Sequence, residues 1–159
     1  TGAFIINSTD EKLDEKKFLV SYLNSDIAKY ILFLTASSWG IERERVLLNE
    51  LLELPSPFFS IDPDILKNIA NAFDKIVLLK KNVIGNDAKI KEQEQYIFNE
   101  FIKHFSLSDR EVALIEDTML FGLGLFRDGH NSIGFRRTQL SENRTYAETL
   151  YNDINSFLF

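Results

Sequence analysis

The segment Ser37-Ser38-Trp39-Gly40-Ile41-Glu42-Arg43-Glu44-Arg45 concentrates hydroxyl, indole and guanidinium groups, and it contains the chain's only tryptophan. If this segment is extended, Arg43 and Arg45 project from the same face, because side chains alternate along a strand. Paired guanidinium groups on one face suit a phosphate backbone or a guanine edge. A helix end with Trp39 filling the core would explain the Trp39-Gly40 corner, but it leaves the arginine spacing unexplained.

A second arginine pair, Arg136-Arg137, follows Gly134-Phe135 in an expected loop. Arginines on a loop can contact phosphates, or they can simply be solvated surface. Both interpretations remain open for this pair.

Other motifs favour structural roles. Gly122-Leu123-Gly124 resembles a cofactor loop only superficially, because such a loop follows a strand, whereas this one follows a predicted helix that glycine would end. Glu111 belongs to a capping box with Ser108. Glu116 and Asp117 fit the solvated face of a helix, and no histidine or nucleophile completes a catalytic site.

The composition narrows the function classes. The chain has no cysteine, which excludes disulfides and thiolate metal sites, and its two histidines, His104 and His130, are far apart in sequence. A formal net charge of −6 argues against a free-standing nucleic-acid binder. An acidic chain would need a larger basic partner to bind DNA.

The sequence contains no apolar run of membrane-spanning length and no basic-then-apolar leader, so we expect a cytoplasmic location with no membrane contact. The only methionine is Met119, and apolar residues stand at both ends of the chain. Exposed apolar ends are poor termini for an intact protein. We therefore expect the chain to be a piece of a longer one.

Hydrophobic periodicity predicts a mainly helical (α+β) fold, a helical bundle with a small β element near the N-terminal end. Strands are expected at Phe4–Asn7 and, in an ambiguous leucine-rich segment, at Val46–Leu48. Helices are expected to start at Leu13, Asp26, Pro63, residue 87 and Ser108, with a loop over 122–134 and a last helix marked by Tyr146, Leu150, Ile154 and Phe157.

The stretch FLVSYLNSDIAKYILFLTASSWGIERERVLLNELLELPSP, residues 18–57, resembles the end of the target-recognition region in N6-adenine DNA methyltransferases of restriction–modification systems. Matching positions include Leu23-Asn24-Ser25, Ser37-Ser38-Trp39-Gly40, Arg43 and Arg45, while Ala36 stands where serine is common in the family. LSDREVALIEDTM and RTYAETLYNDINSFL are similar to the helical tail of large single-chain members, in which modification and restriction share a polypeptide. The resemblance is specific around Ser37 to Arg45 and looser after Pro57.

The resemblance implies a parent enzyme that methylates adenine N6 with S-adenosylmethionine, using an Asn-Pro-Pro-Tyr type motif and a glycine-rich cofactor loop. Neither is expected here, since the prolines stand at 55, 57 and 63 and no strand is predicted before Gly122. We therefore expect no catalytic residue, no metal and no cofactor in this chain. The implied partners are double-stranded DNA and a missing N-terminal methyltransferase domain. The DNA-contacting residues expected on this basis are Ser37, Ser38, Arg43 and Arg45. Arg136 and Arg137 are further candidates from their loop position alone, and the resemblance does not cover them.

Two regions are expected on this basis: 1–59 as the end of the specificity region and 60–159 as a C-terminal helical region. The alternative is a helical scaffold that docks domains or subunits without touching DNA. Long amphipathic helices at 61–82 and 87–105, joined by a short turn, would suit that role.

Overall fold

The computed structural model describes residues 12–37, 46–81 and 85–158, and in these ranges the chain is all-helical with no strand. Its helices are α1 (Leu13–Asn24), α2 (Asp26–Thr35), α3 (Leu48–Leu52), α4 (Pro63–Lys81), α5 (Asp87–Phe105), α6 (Asp109–Asp117), α7 (Leu123–Asp128) and α8 (Leu140–Leu158). A π-helical turn (Thr118–Gly122) joins α6 to α7, and two 3₁₀ turns (Gly129–Asn131 and Ile133–Phe135) precede α8.

One of the two strands expected from the sequence is absent from the described residues. The strand predicted at Val46–Leu48 is wrong, because the leucine-rich run begins a short helix at Leu48. Glu50 lies in the first turn of this helix and accepts a hydrogen bond from the backbone N–H of Leu47, which favours the helical start. The other predicted strand, Phe4–Asn7, lies outside the described residues.

The hydrophobic core forms where α1, α4 and α5 pack together. Phe18, Ile69 and Phe101 are fully buried, and the ring of Phe101 meets that of Phe18 edge-on, with centroids 5.2 Å apart. Phe58 adds a further ring contact to Phe18 at 5.9 Å. Residues of both predicted regions, 1–59 and 60–159, therefore contribute side chains to one core. The division of the chain at residue 59 stays a prediction about function.

The loop predicted over 122–134 is largely helical. Gly122 has a helical φ of −61°, and the chain continues through the π turn into α7. The turn brings Leu123 into a buried position, 4% exposed, which offsets the cost of the irregular hydrogen bonding. Gly129, with a φ of +52°, is the glycine at which the helix ends.

The last helix, α8, begins at Leu140, six residues before the first residue used to predict it. Glu142 in its first turn accepts a hydrogen bond from the backbone N–H of Gln139 at 2.7 Å. The apolar side chains of α8 are largely exposed: Leu140 87%, Tyr146 70%, Tyr151 67%, Ile154 50% and Leu150 46%.

The helix start predicted at Asp26 is confirmed, and Ser25 is the N-cap of α2. Its Oγ accepts from the backbone N–H of Ala28 at 3.3 Å and donates to the carbonyl of Tyr22 at 2.7 Å. Replacing Ser25 by alanine should lower the free energy of unfolding by about 1 kcal/mol, because the cap is lost at a buried position. Urea unfolding monitored by circular dichroism measures this loss of free energy. Ser141→Ala, at an exposed site in α8, is the control, and equal losses in the two variants would contradict the capping role.

Candidate functional site

A single carboxylate joins the two chain segments that flank residues 38–45. Glu50 Oε1 accepts hydrogen bonds from both the backbone N–H and the hydroxyl of Ser37, each at 2.8 Å. Glu50 Oε2 accepts from the backbone N–H of Leu47 at 2.9 Å. Ser37 follows the end of α2 and Leu47 precedes α3, so the Glu50 carboxylate fixes the spacing of these two ends. We call this arrangement the Glu50 clamp.

The same two flanks are also held by apolar contacts. Leu32 of α2 and Leu123 of α7 form a small buried cluster, 3% and 4% exposed. Ala36, on one side of the 38–45 segment, and Val46, on the other, both pack against this cluster. Polar and apolar contacts therefore place the two ends independently.

The Glu50 clamp favours the charged carboxylate. Hydrogen bonds from the backbone of Leu47 and from Ser37 lower the pKa of Glu50 below its ordinary value, and they outweigh the opposing effect of burial. The Glu50 side chain is therefore a charged acceptor at neutral pH. At 9% exposure, it differs from a solvated surface glutamate.

The structure describes only part of the residue set expected from the sequence. Ser37 lies in the clamp, where its hydroxyl proton is committed to Glu50. The other residues expected in this segment lie outside the described residues, and their roles stay predictions: Ser38, Trp39, Gly40, Arg43 and Arg45.

The second arginine pair lies just before α8. Both terminal nitrogens of Arg136 donate to the carboxylate of Glu142, one of them at 3.0 Å. This contact is the main reason that the pKa of Glu142 is lowered, with a further contribution from the N–H of Gln139. Arg136 thus helps to organise the start of α8, whereas the neighbouring Arg137 is exposed. A DNA contact by this pair stays a prediction.

The sequence analysis did not identify Glu50 as a functional residue, because its contacts produce no periodic pattern in the sequence. A capping box needs serine, threonine, aspartate or asparagine at the N-cap, and the residue there is Leu47. The Ser37 contact joins residues 13 apart in sequence. The available signal was a lone acidic residue within the leucine-rich stretch of residues 46–52.

Two other polar sites are structural. The predicted capping box is confirmed, since Ser108 Oγ donates to Glu111 at 2.7 Å and accepts from its N–H at 3.4 Å. His104 Nε2 forms a hydrogen bond with the carbonyl of Pro57 at 2.8 Å, and its ring packs edge-on against Phe18. These contacts tie the turn before α4 to the end of α5.

No group of three or more histidine, cysteine or acidic side chains in the described ranges is arranged to hold a metal ion. None of the helices in the described part of the chain has the length and apolar character needed to cross a membrane.

No protein-family model, curated protein or solved structure matches the chain.

Proposed function

We propose that this chain is the C-terminal, DNA-facing part of an S-adenosylmethionine-dependent adenine-N6 DNA methyltransferase of a restriction–modification system. The sequence support is the segment from Ser37 to Arg45 and its leucine-rich continuation. The structural observation that carries the proposal is the Glu50 clamp, because it holds the two ends of the segment that contains both Arg43 and Arg45.

The residues divide into two roles. Arg43 and Arg45 contact the DNA, either at the phosphate backbone or at a guanine edge. Ser37 supports them indirectly, because its hydroxyl proton is donated to Glu50. The corner expected from the sequence at Trp39 and Gly40 lies outside the residues that the structure describes and stays a prediction.

Methyl transfer and extrusion of the target adenine belong to the missing N-terminal domain, which also supplies the S-adenosylmethionine site and the remaining basic surface. Large apolar side chains near both flanks of the 38–45 segment are available for contact with that domain: Leu34 is 61% exposed, Leu47 45%, Leu48 55% and Leu52 75%. Exposed apolar side chains of this kind are typical of docking surfaces.

The proposal is tested by the salt dependence of DNA binding by the intact parent protein. Each phosphate contact contributes a slope of about −0.9 to the plot of log K against log salt. If both arginines contact phosphates, these two contacts alone give a slope of about −1.8 or steeper. An affinity for double-stranded DNA that does not vary with salt would reject a DNA-facing role.

A scaffold that docks domains or subunits is the second candidate, and it is favoured by the exposed apolar face of α8. Leu140, Tyr146 and Tyr151 are each at least 67% exposed along one helix. Under this alternative, replacing Tyr146 and Tyr151 by serine weakens assembly of the parent protein, measured by sedimentation. Substitution of Arg43 and Arg45 would then leave DNA binding unchanged.

A further inference from the structure

We propose that Phe135 and Arg137, in the turns between α7 and α8, form a surface that binds unpaired nucleotides. The ring of Phe135 stacks on a base, and the guanidinium group of Arg137 binds a neighbouring phosphate. The choice of DNA as the nucleic acid rests on the proposed function, because extrusion of an adenine from a duplex leaves the opposite thymine unpaired. The surface itself is argued from the described residues alone.

The charge of this part of the chain favours an anionic partner. Residues 118–139 contain three arginines and one acidic residue, Asp128, and so carry a formal charge of +2. Since the whole chain carries −6, the remaining residues carry −8. A local excess of positive charge within an acidic chain attracts phosphate groups to that place.

The two adjacent arginines in these turns have different surroundings. Arg136 donates two hydrogen bonds to the carboxylate of Glu142, so its charge is balanced within the fold. Arg137 is exposed and forms no hydrogen bond or ion pair with another residue in the described ranges. Its guanidinium group is therefore available to a phosphate, to which it can donate two parallel hydrogen bonds.

An exposed aromatic ring stands beside this arginine. Phe135 is 65% exposed, and the ring of His130 lies 6.1 Å from its ring, tilted by 39°. The Cα atoms of Phe135 and Arg137 lie within about 7 Å of each other, because only one residue separates them. Aromatic rings next to positive groups bind unpaired nucleotides, since every base has a face on which a ring can stack. The neighbouring arginine thus favours a nucleic acid over an apolar protein partner.

The turns hold the backbone of Phe135 in place before any ligand binds. Ser132 is buried, its Oγ accepts a hydrogen bond from the N–H of Gly134 at 3.2 Å, and its carbonyl accepts one from the N–H of Phe135 at 3.1 Å. A Cβ at Gly134 would lie 3.1 Å from Cδ2 of Leu125, so glycine allows the turn to pack closely on α7. A surface that is already ordered loses less entropy when it binds.

The test is a titration of the whole 159-residue chain with a single strand of about ten thymidylates, followed by NMR of the backbone amides. The salt concentration is kept at about 0.05 M, where phosphate contacts are strong. The amide signals of Gly129 and Gly134 report on the turns. We expect the shifts to be confined to the turns, with the signals of α4 and α5 unchanged.

Two substitutions separate the roles of ring and charge. Phe135→Ala should lower the affinity about fivefold or more, as for loss of one stacked base. Arg137→Ala should reduce the slope of log K against log salt by about 0.7, the contribution of one phosphate on a single strand. The controls are Phe59→Ala, at a ring that is 84% exposed, and Lys75→Ala, at an exposed site on α4. Both controls should keep the original affinity and slope.

The absence of shifts in the turns, or equal values for either substitution and its control, would overturn the inference. An oligoglutamate of the same charge has no bases and should bind several-fold more weakly. Equal binding of the two polymers would show that the surface recognises only charge, as on an acidic protein segment, and the nucleotide assignment would fail.

Failure of this surface and failure of the proposed function are distinguishable. Thymidylate binding at the turns, together with duplex binding by the parent protein that does not vary with salt, would reject the proposed function and support the surface. Salt-dependent duplex binding without shifts in the turns would reject the surface alone.

Discussion

Replacing Phe101 by alanine should lower the free energy of unfolding by about 3–5 kcal/mol. Phe101 is fully buried, and its ring lies 5.2 Å from Phe18, 5.8 Å from Tyr22 and 6.1 Å from Phe105, measured between centroids. Truncation removes these contacts and leaves a cavity where α1 and α5 meet. Much of the aromatic core depends on this one ring.

Phe59→Ala is the matched control for this prediction, because it is the same substitution at a ring that is 84% exposed. We expect a change within about 0.5 kcal/mol, as is usual for surface positions. Urea unfolding followed by circular dichroism gives both values under identical conditions. Similar losses for Phe101→Ala and Phe59→Ala would show that the core is not centred on α1, α4 and α5.

Replacing Arg43 and Arg45 together by alanine should reduce the salt slope of DNA binding by about 1.8 in the intact parent protein. Two lost phosphate contacts account for this change, because each releases counterions when it forms. If the affinity extrapolated to 1 M salt is unchanged, a reduction of the slope by about 1.8 makes the affinity of the double variant at 0.15 M salt about 30-fold lower. Fluorescence anisotropy with labelled duplex DNA at several salt concentrations measures both quantities.

A control double variant, Lys75→Ala with Arg144→Ala, removes the same charge elsewhere. Lys75 is exposed on α4, and Arg144 pairs with Glu148 on α8 at 3.0 Å. This variant should keep the original salt slope. Equal slopes for the two double variants would mean that Arg43 and Arg45 contribute only to the overall charge and make no local phosphate contact.

The helices that local signals define were predictable from the sequence. The Ser25 cap, the proline at the start of α4 and the Ser108–Glu111 capping box each satisfy backbone groups within a few residues, so their positions follow from spacing alone. The 3.6-residue period also places Ile69 and Phe101 on the apolar faces of α4 and α5, and both side chains are fully buried.

The errors arose where tertiary contacts outweigh local preference. Leucines and valine at 46–48 suit a strand, but Glu50 and the Leu32–Leu123 cluster hold this part of the chain at the start of a helix. Gly122 suggested a helix end, yet packing of Leu123 keeps the chain helical as far as Gly129. The Glu50 clamp itself joins residues distant in sequence, which a single sequence does not reveal.

The central claim is most directly tested by sequencing outward from this segment in its source DNA and reading the parent frame. We predict an upstream Asn-Pro-Pro-Tyr type motif and, in the same frame, a glycine-rich loop that follows a predicted strand. A parent frame that lacks both would contradict the methyltransferase assignment. The chain would then be a helical scaffold, and the Glu50 clamp would serve only to pack its turn.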